Sequence, residues 1–324
     1  MDTEVSFPDG DAIIIASNVL FRVHKRVLAH HCPVLAANLD TSAESMGGLP
    51  VVRVTDTPHD IREFLRVAYG SSPPTRAPLA PFSVLAAWLR VGIKYKMQVL
   101  VDHAYVNLQS LFPATLSEWD ERDGPESSHD FKDENAIEAL NLFQQTGQFG
   151  MLQVAIYRCC QLDPDVVRNG TTRADGTPER LSRKNVEVIA RAKERLKEYG
   201  ARMIEESRER FKRSEYCSYW QFRSYYKFCS CQDVIKDLRD TKAHGREAWR
   251  EGDPLDSRFL QYIDRSEDSR DYELRQDFAC YMGACSNCMD EVRSEVGEMR
   301  ARVWNELPAI VGVADVIDDW VCDN

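Results

Sequence analysis

The feature that most constrains the fold of this chain is a change of hydrophobic period near residue 24. Val19, Phe21 and Val23 occupy alternate positions, which predicts a β-strand. From Lys25 onward the apolar residues follow a helical spacing, and Pro33 divides that stretch into two short helices. A strand that runs directly into a pair of helices indicates a domain in which both kinds of element share one core.

The neighbouring segments predict more elements of the same domain. The apolar run AIIIAS at 12–17 predicts a strand that forms a hairpin with the one at 19–23. The run LPVVRVT at 49–55 predicts a third strand. Thr57 is then suited to cap a helix that has Pro58 at its first position. Two further helices are predicted before residue 112, so this part of the chain is α+β.

Beyond residue 112 the pattern becomes helical. Residues 113–130 are acidic and polar and have no periodicity, which predicts a linker. Residues 131–324 are predicted to be helical, with a long helix over 183–213 that carries an apolar seam. We therefore predict an α+β domain at 7–112, in which a short sheet is flanked by helices, an acidic linker at 113–130, and an all-α C-terminal region at 131–324.

Charge and hydropathy exclude several classes of partner. The net charge is −11, and the basic residues of 179–250 are interleaved with glutamates, so a solvated helix face is favoured over nucleic-acid binding. The longest apolar runs are too short to span a bilayer, and the N-terminus lacks the basic and apolar regions of a signal peptide. We expect an intracellular protein of the cytoplasm or nucleus, without nucleic-acid or membrane partners.

No motif in the chain predicts catalysis. A Gly-rich phosphate loop, a GxSxG nucleophile turn and an HExxH zinc motif are all missing from the sequence. Cys32 adjoins His31, but successive residues on a helix point about 100° apart, so their adjacency does not predict a nucleophile–base pair. The sequence predicts no enzyme activity, no catalytic residue and no cofactor.

Ten cysteines leave one alternative open for a metal. Most are expected to fill gaps between helices as small buried hydrophobes. Cys285 and Cys288, however, have the two-residue gap that lets both sulfurs bind one zinc ion. The other candidate ligands are Cys217, Cys229, Cys231 and Cys280. Structural zinc therefore remains an alternative to gap filling.

The order of elements at 7–112 resembles that of a BTB/POZ domain. The resemblance is carried by FPDGDAIIIASNVLFRVHKRVLAHHCPVLAANL at 7–39, where an aspartate opens a strand and Phe-x-Val-His-Lys follows. LPVVRVTDTPHDIREFLRVAYG at 49–70 is similar to the family's next strand and the helix that ends in a tyrosine. More closely, the chain resembles BTB proteins of mushroom-type fungi, whose shared helical region of unknown function is similar to 135–162 and 303–320.

The resemblance implies an interaction module. Many BTB domains form homodimers, and some recruit cullin scaffolds or corepressors. By this resemblance, Asp11 and Lys25 match the family's charged pair at the dimer groove, and His24 matches the histidine at the strand-to-helix junction. The two charged side chains are expected to pair across the end of the hairpin, where they would contribute specificity more than stability.

Two features differ from the family pattern. Only MDTEVS precedes the matching region, so the extra N-terminal strand and helix of swapped BTB dimers are not expected. The cullin-binding hydrophobic-x-Glu signature would fall near Glu44, where Ser42 replaces the hydrophobic residue. The resemblance thus implies a non-enzymatic protein-interaction module or scaffold whose partners are other proteins or a second copy. A substrate adaptor of a cullin-based ubiquitin ligase is the alternative.

Overall fold

The computed structural model describes residues 1–70, 80–122, 131–218, 231–239, 246–267 and 284–316. The chain divides into two compact units. Unit 1 comprises residues 1–113 and 124–182, and unit 2 comprises residues 114–123 and 183–324. No helix in the described ranges combines the length and the apolar composition needed to cross a bilayer.

A four-stranded mixed sheet opens unit 1. Its strands are β1 (Ala12–Ala16), β2 (Val19–Val23), β3 (Ser45–Met46) and β4 (Leu49–Val54). The order is β2-β1-β4-β3, with β1 antiparallel to β2 and parallel to β4. Ser17, the last residue of the run at 12–17, has a positive φ of 50° and lies in the turn of the predicted hairpin. Every residue of β1 is buried, because this central strand is covered on both faces.

Helices flank this sheet, as the sequence predicts. They are α1 (Lys25–His31), α2 (Pro33–Asp40), α3 (Pro58–Ala68), α4 (Phe82–Lys94) and α5 (Gln98–Leu111). Thr57 caps α3 by accepting the Asp60 N–H at 3.2 Å, and Pro58 is its first residue. α4 packs against both α3 and α5. The predicted short sheet with surrounding helices is confirmed.

α6 (Leu116–Arg122) belongs to unit 2, and the chain then returns to unit 1. The returning elements are α7 (Asn135–Thr146), α8 (Leu152–Gln161), α9 (Pro164–Asn169), β5 (Thr171–Thr172) and β6 (Pro178–Glu179). α7 ends at Gly147, whose φ of +70° allows the left-handed cap, and a separate helix follows. The short β5–β6 hairpin lies between helices of the region that the sequence predicts to be helical.

A buried ion network joins α3, α4, α7 and the β5–β6 hairpin. Arg90 bonds to both carboxylate oxygens of Asp60 at 2.9 Å and to Glu138 at 2.7 Å. Arg173 extends the network from Glu138, at 3.7 Å, to Glu179. Because these side chains are largely withdrawn from water, each charge depends on its partners.

Aromatic packing also connects the early and late parts of unit 1. The rings of Phe82 and Phe112 contact Phe131 edge to face at 5.2 and 5.5 Å. Arg158 stacks over Phe131 at 4.4 Å and donates to the Leu111 carbonyl at 2.9 Å. Residues 131–182 therefore share a core with residues 1–113, whereas the sequence assigned them to the C-terminal region. Contacts between side chains that are distant along the chain account for the difference.

Unit 2 is helical in its described parts. After α6, its helices are α10 (Arg183–Arg210), α11 (Cys231–Arg239), α12 (Arg246–Glu251), α13 (Arg258–Glu267) and α14 (Ser286–Ile310). α10 packs against α11, α12 and α14. Its predicted apolar seam is Ile189, Ala192, Leu196, Tyr199 and Met203, of which all but the half-buried Tyr199 are buried. The long helix therefore packs on its neighbours along that seam, as the sequence predicts.

Part of the segment predicted as a linker forms α6. Trp119 packs on Trp304 of α14 with ring centroids 5.9 Å apart. Asp120 accepts hydrogen bonds from Arg300, whose side chain is 1% exposed. The acidic composition of 113–130 predicts a solvated segment, but two apolar side chains, Leu116 and Trp119, are enough to bury one face of this short helix.

Candidate functional site

The three residues that the sequence selects for the interaction site lie at one end of the β1–β2 hairpin. The register pairs Ala12 with Val23, which places Asp11, just before β1, opposite His24, just after β2. The Asp11 N–H donates to the Val23 carbonyl at 3.0 Å. Lys25 is the first residue of α1. The structure thus brings Asp11, His24 and Lys25 together.

The expected side-chain pair between Asp11 and Lys25 is replaced by two other interactions. The Asp11 carboxylate accepts the backbone N–H of Lys25 at 2.7 Å, so it caps the N-terminus of α1. The Lys25 ammonium instead pairs with Asp40, at the end of α2, at 2.8 Å. The His24 side chain, at the N-cap position, makes no capping bond, which explains why α1 needs the carboxylate of Asp11.

His24 joins the hairpin to the end of α3. Its backbone N–H donates to the Tyr69 hydroxyl at 2.8 Å, and its Nδ1 lies 3.1 Å from the same oxygen. Its Nε2 lies 3.4 Å from Asp9, and Phe7 stacks on the Tyr69 ring at 4.0 Å. Burial raises the pKa of Tyr69, and the charges of Asp11 and Asp9 add to this effect. The Tyr69 hydroxyl therefore remains protonated and anchors the junction.

Removing that hydroxyl should loosen the junction. We expect Tyr69→Phe to lower the free energy of unfolding by about 1–2 kcal/mol, because the His24 N–H then lacks its acceptor. Urea denaturation of the full chain measures the change. The matched control is Tyr105→Phe on α5, since the Tyr105 hydroxyl has no hydrogen-bond partner within the described residues. Equal losses for the two variants would contradict the role given to Tyr69.

The nearby thiol is not arranged for catalysis. Cys32, between α1 and α2, is fully buried, and burial raises its pKa, so the thiolate form is disfavoured. His31 is exposed beside His30, with ring centroids 4.6 Å apart. What the junction offers instead is a polar surface on which the side chains of Asp9 and Asp40 are 83% and 67% exposed.

The sequence did not single out the exposed apolar residues of α5. Val99 and Val106 are 72% and 66% exposed and stand two helical turns apart, so they share one side of the helix. A valine exposed to this extent gains nothing from the core of its own unit. Periodicity alone could not find the pair, because each valine also fits a buried helical position.

Four cysteines of unit 2 form a separate cluster. Cys217 follows α10 in a turn closed by its N–H to the Ser214 carbonyl at 3.2 Å. Cys231 begins α11, Cys285 occupies the N-cap position of α14, and Cys288 lies in the first turn of α14. All four are buried, and their sulfur atoms lie within 4.8 Å of one another.

Burial has a large effect on the pKa of three of these thiols, those of Cys231, Cys285 and Cys288. It raises the pKa of Cys231 to about 12 and that of Cys288 still further. Burial alone would also raise the pKa of Cys285, but hydrogen bonds from the backbone of Cys288 and Ser218 lower it to about 7. Of the other cysteines named as candidate ligands, Cys229 and Cys280 lie outside the described residues.

Residues 8–110 match the model of the BTB/POZ domain family. The match covers less than half of the chain and follows the predicted domain at 7–112 closely. No match to the chain was found among curated proteins or among solved structures. The resemblance to fungal proteins therefore stays a prediction. The N-terminal part of unit 1 contains a BTB/POZ domain, with its short sheet flanked by helices.

Proposed function

We propose that this chain, which carries a BTB/POZ domain at residues 8–110, is a non-enzymatic scaffold that pairs with a second copy of itself. The observation that carries the proposal is the family match, because BTB/POZ domains are known protein–protein interaction modules. We place the protein inside the cell, in the cytoplasm or nucleus. Other proteins would bind to surfaces that self-pairing leaves free.

The exposed face of α5 supports self-pairing. Val99 and Val106 form an apolar stripe, and their polar neighbours Asp102 and Gln109 are also exposed. Burying apolar surface contributes about 25 cal/mol for each Å² removed from water. In a two-fold dimer the same patch meets itself, so one apolar stripe supplies both sides of an interface. A stable interface needs about 1,200–2,000 Å² in total, which requires surface beyond this stripe as well.

The oligomeric state of the full chain tests the proposal. Light scattering coupled to size exclusion should give twice the 37.1 kDa of one chain at micromolar concentration. The double variant Val99→Glu/Val106→Glu should shift the mass to that of a single chain, because it places two charges on each side of the proposed interface. A single-chain mass for the unmodified protein would contradict self-pairing.

A matched variant separates the stripe from a general effect of charge. Ala201→Glu adds a carboxylate at another exposed apolar helical position, on α10. We expect this variant to keep the mass of two chains. Circular dichroism should show the same helical signal for all three proteins, so that unfolding is not mistaken for dissociation. Loss of the dimer in Ala201→Glu as well would count against the α5 stripe.

The cullin adaptor remains the alternative function. At the place of the cullin-binding signature, the Ser42 hydroxyl donates to the Val51 carbonyl, and Glu44 forms a bidentate ion pair with Arg53. Glu44 is thus engaged within its own domain, and an apolar partner residue is missing at position 42. Co-purification with a cullin at micromolar concentration would favour the adaptor function. A failure to bind the cullin would favour the scaffold function instead.

A further inference from the structure

We propose that the four cysteines of unit 2 bind one structural zinc ion. The ligands would be the thiolates of Cys217, Cys231, Cys285 and Cys288. The sequence left this possibility open for a larger set of cysteines. What is new in the structure is that four of them, from three separate segments, meet at one point. The proposal is independent of the interaction surface of unit 1.

The distances between the sulfur atoms fit a tetrahedral site. Zinc–sulfur bonds of about 2.3 Å give a tetrahedron whose sulfur–sulfur edges are about 3.8 Å. Cys217 Sγ lies 3.5 Å from Cys231 Sγ and 3.9 Å from Cys285 Sγ. No pair of the four is farther apart than 4.8 Å. Small shifts of the side chains would bring all four sulfurs onto one ion.

Gap filling by small buried side chains explains the other described cysteines but not these four. Cys32, Cys159 and Cys160 are buried and belong to no cluster of potential metal ligands within the described residues. Each of them acts as a small apolar side chain. Four thiols in mutual contact are a poor way to fill a core, since the same volume could hold larger apolar groups that pack more closely.

Disulfide bonds do not account for the cluster either. The sulfur separation of 3.5 Å between Cys217 and Cys231 is well above the bond length of about 2.05 Å. All four cysteines are free thiols in the structure. Two disulfides would also join the sulfurs in pairs, whereas here Cys217 contacts both Cys231 and Cys285.

The surroundings of the cluster support thiolate ligands. The Cys285 N–H donates to Cys231 Sγ at 3.4 Å, which stabilises negative charge on that sulfur. Asn287, between the two cysteines of the CxxC motif, donates from Nδ2 to the Tyr216 carbonyl at 2.7 Å. This bond holds the turn that carries Cys217 against the start of α14. These two hydrogen bonds therefore hold the segments that carry Cys217 and Cys231 against the start of α14.

Four protein ligands complete the tetrahedron, so the ion would be structural. A catalytic zinc keeps one coordination position open for water or substrate, whereas the four buried thiolates would occupy all four positions here. The ion would join the turn after α10 to the first residues of α11 and α14. Because the site forms only when these segments are folded, zinc binding would add directly to the stability of unit 2.

Metal content of the full chain gives the first test. Protein purified under reducing conditions with zinc chloride present should contain about one zinc per chain by elemental analysis. Cys288→Ser should reduce this to less than about 0.2 equivalents, whereas Cys159→Ser, at a buried cysteine in unit 1, should leave it unchanged. Less than about 0.2 equivalents in the unmodified protein, or iron in place of zinc, would overturn the proposal.

Cobalt substitution provides a test that does not depend on the folding of a variant. Apo protein prepared with a chelator and titrated with cobalt(II) chloride should show the visible bands of tetrahedral cobalt with four thiolates, saturating at one equivalent. Zinc chloride should then remove these bands. Absence of these bands during the titration would overturn the proposal. Disulfides found by mass spectrometry among the four cysteines, in protein purified under reducing conditions, would overturn it as well.

Discussion

Replacing Arg90 with methionine is expected to lower the free energy of unfolding of the full chain by about 3–5 kcal/mol. Arg90 makes two hydrogen bonds of 2.9 Å to Asp60 and one of 2.7 Å to Glu138. The side chains of these two acids are only 4% and 3% exposed. Methionine keeps much of the apolar volume, but it removes the cation from Asp60 and leaves Glu138 with only Arg173, at 3.7 Å. That uncompensated charge is the reason for the large loss.

The loss in the free energy of unfolding should depend on pH, whereas a loss caused by a packing defect would not. Burial raises the pKa of Glu138, although Arg90 and Arg173 act to lower it. Without Arg90 this pKa should rise further above its ordinary value of 4.5. A group whose pKa is higher in the folded state loses stabilising effect as the pH rises above its unfolded pKa. We therefore expect a larger difference from the unmodified protein at about pH 8 than at about pH 5.

Urea unfolding, followed by circular dichroism at both pH values, measures the difference in the free energy of unfolding between Arg90→Met and the unmodified protein. The matched control is Arg53→Met, which breaks the ion pair with Glu44 on the exposed face of β4. Those side chains are 59% and 43% exposed, so solvent screens their charges and little change in stability is expected. A similar loss in the two variants, or a loss in Arg90→Met that does not vary with pH, would contradict the role of the buried network.

The second large effect is expected at Gly200, in the middle of α10. A Cβ at this position would lie 1.8 Å from the backbone carbonyl oxygen of Trp249 on α12. No side-chain rotation relieves a clash with backbone, so Gly200→Ala must push the two helices apart. We expect a loss of about 3 kcal/mol in the free energy of unfolding, at the upper end for overpacking. The displaced Trp249 packs edge to face on Phe259, with centroids 5.2 Å apart, so the disturbance extends to α13.

Gly297 in α14 provides an internal control for this prediction. It also lies inside a long helix of unit 2, but a Cβ there would meet nothing within 4 Å in the part of the chain that the structure describes. Gly297→Ala should raise the free energy of unfolding by about 0.5–1 kcal/mol, because alanine loses less backbone entropy in a helix. Opposite signs for the two substitutions in urea denaturation support the close approach at Gly200. A gain in both would contradict it.

Local rules predicted much of the N-terminal fold. The alternation of Val19, Phe21 and Val23, the switch at Lys25 and the cap at Thr57 all depend on residues within a few positions of one another. Such patterns are written into short stretches of sequence, and the corresponding strands and helices are confirmed. The family match to residues 8–110 extends that agreement to the order of the elements.

The candidate site was predicted only in part. Asp11, His24 and Lys25 were selected together, and the structure brings them together. Their contacts were not predictable, since Lys25 pairs with Asp40 after two short helices, and His24 bonds to Tyr69 across 45 positions of the chain. Which of several nearby acids a flexible lysine reaches depends on the direction in which α2 runs.

By itself the sequence determined the three longer strands, the helices and the Thr57 cap of the N-terminal domain, and the CxxC spacing of Cys285 and Cys288. It did so because backbone preferences and hydrophobic periods act over a few residues. Only the tertiary structure decided that Glu138 completes the charge network of Arg90, and that Cys217 and Cys231 join the other two thiols. Those groupings depend on how distant helices pack against one another, and no local pattern of residues encodes such a distance.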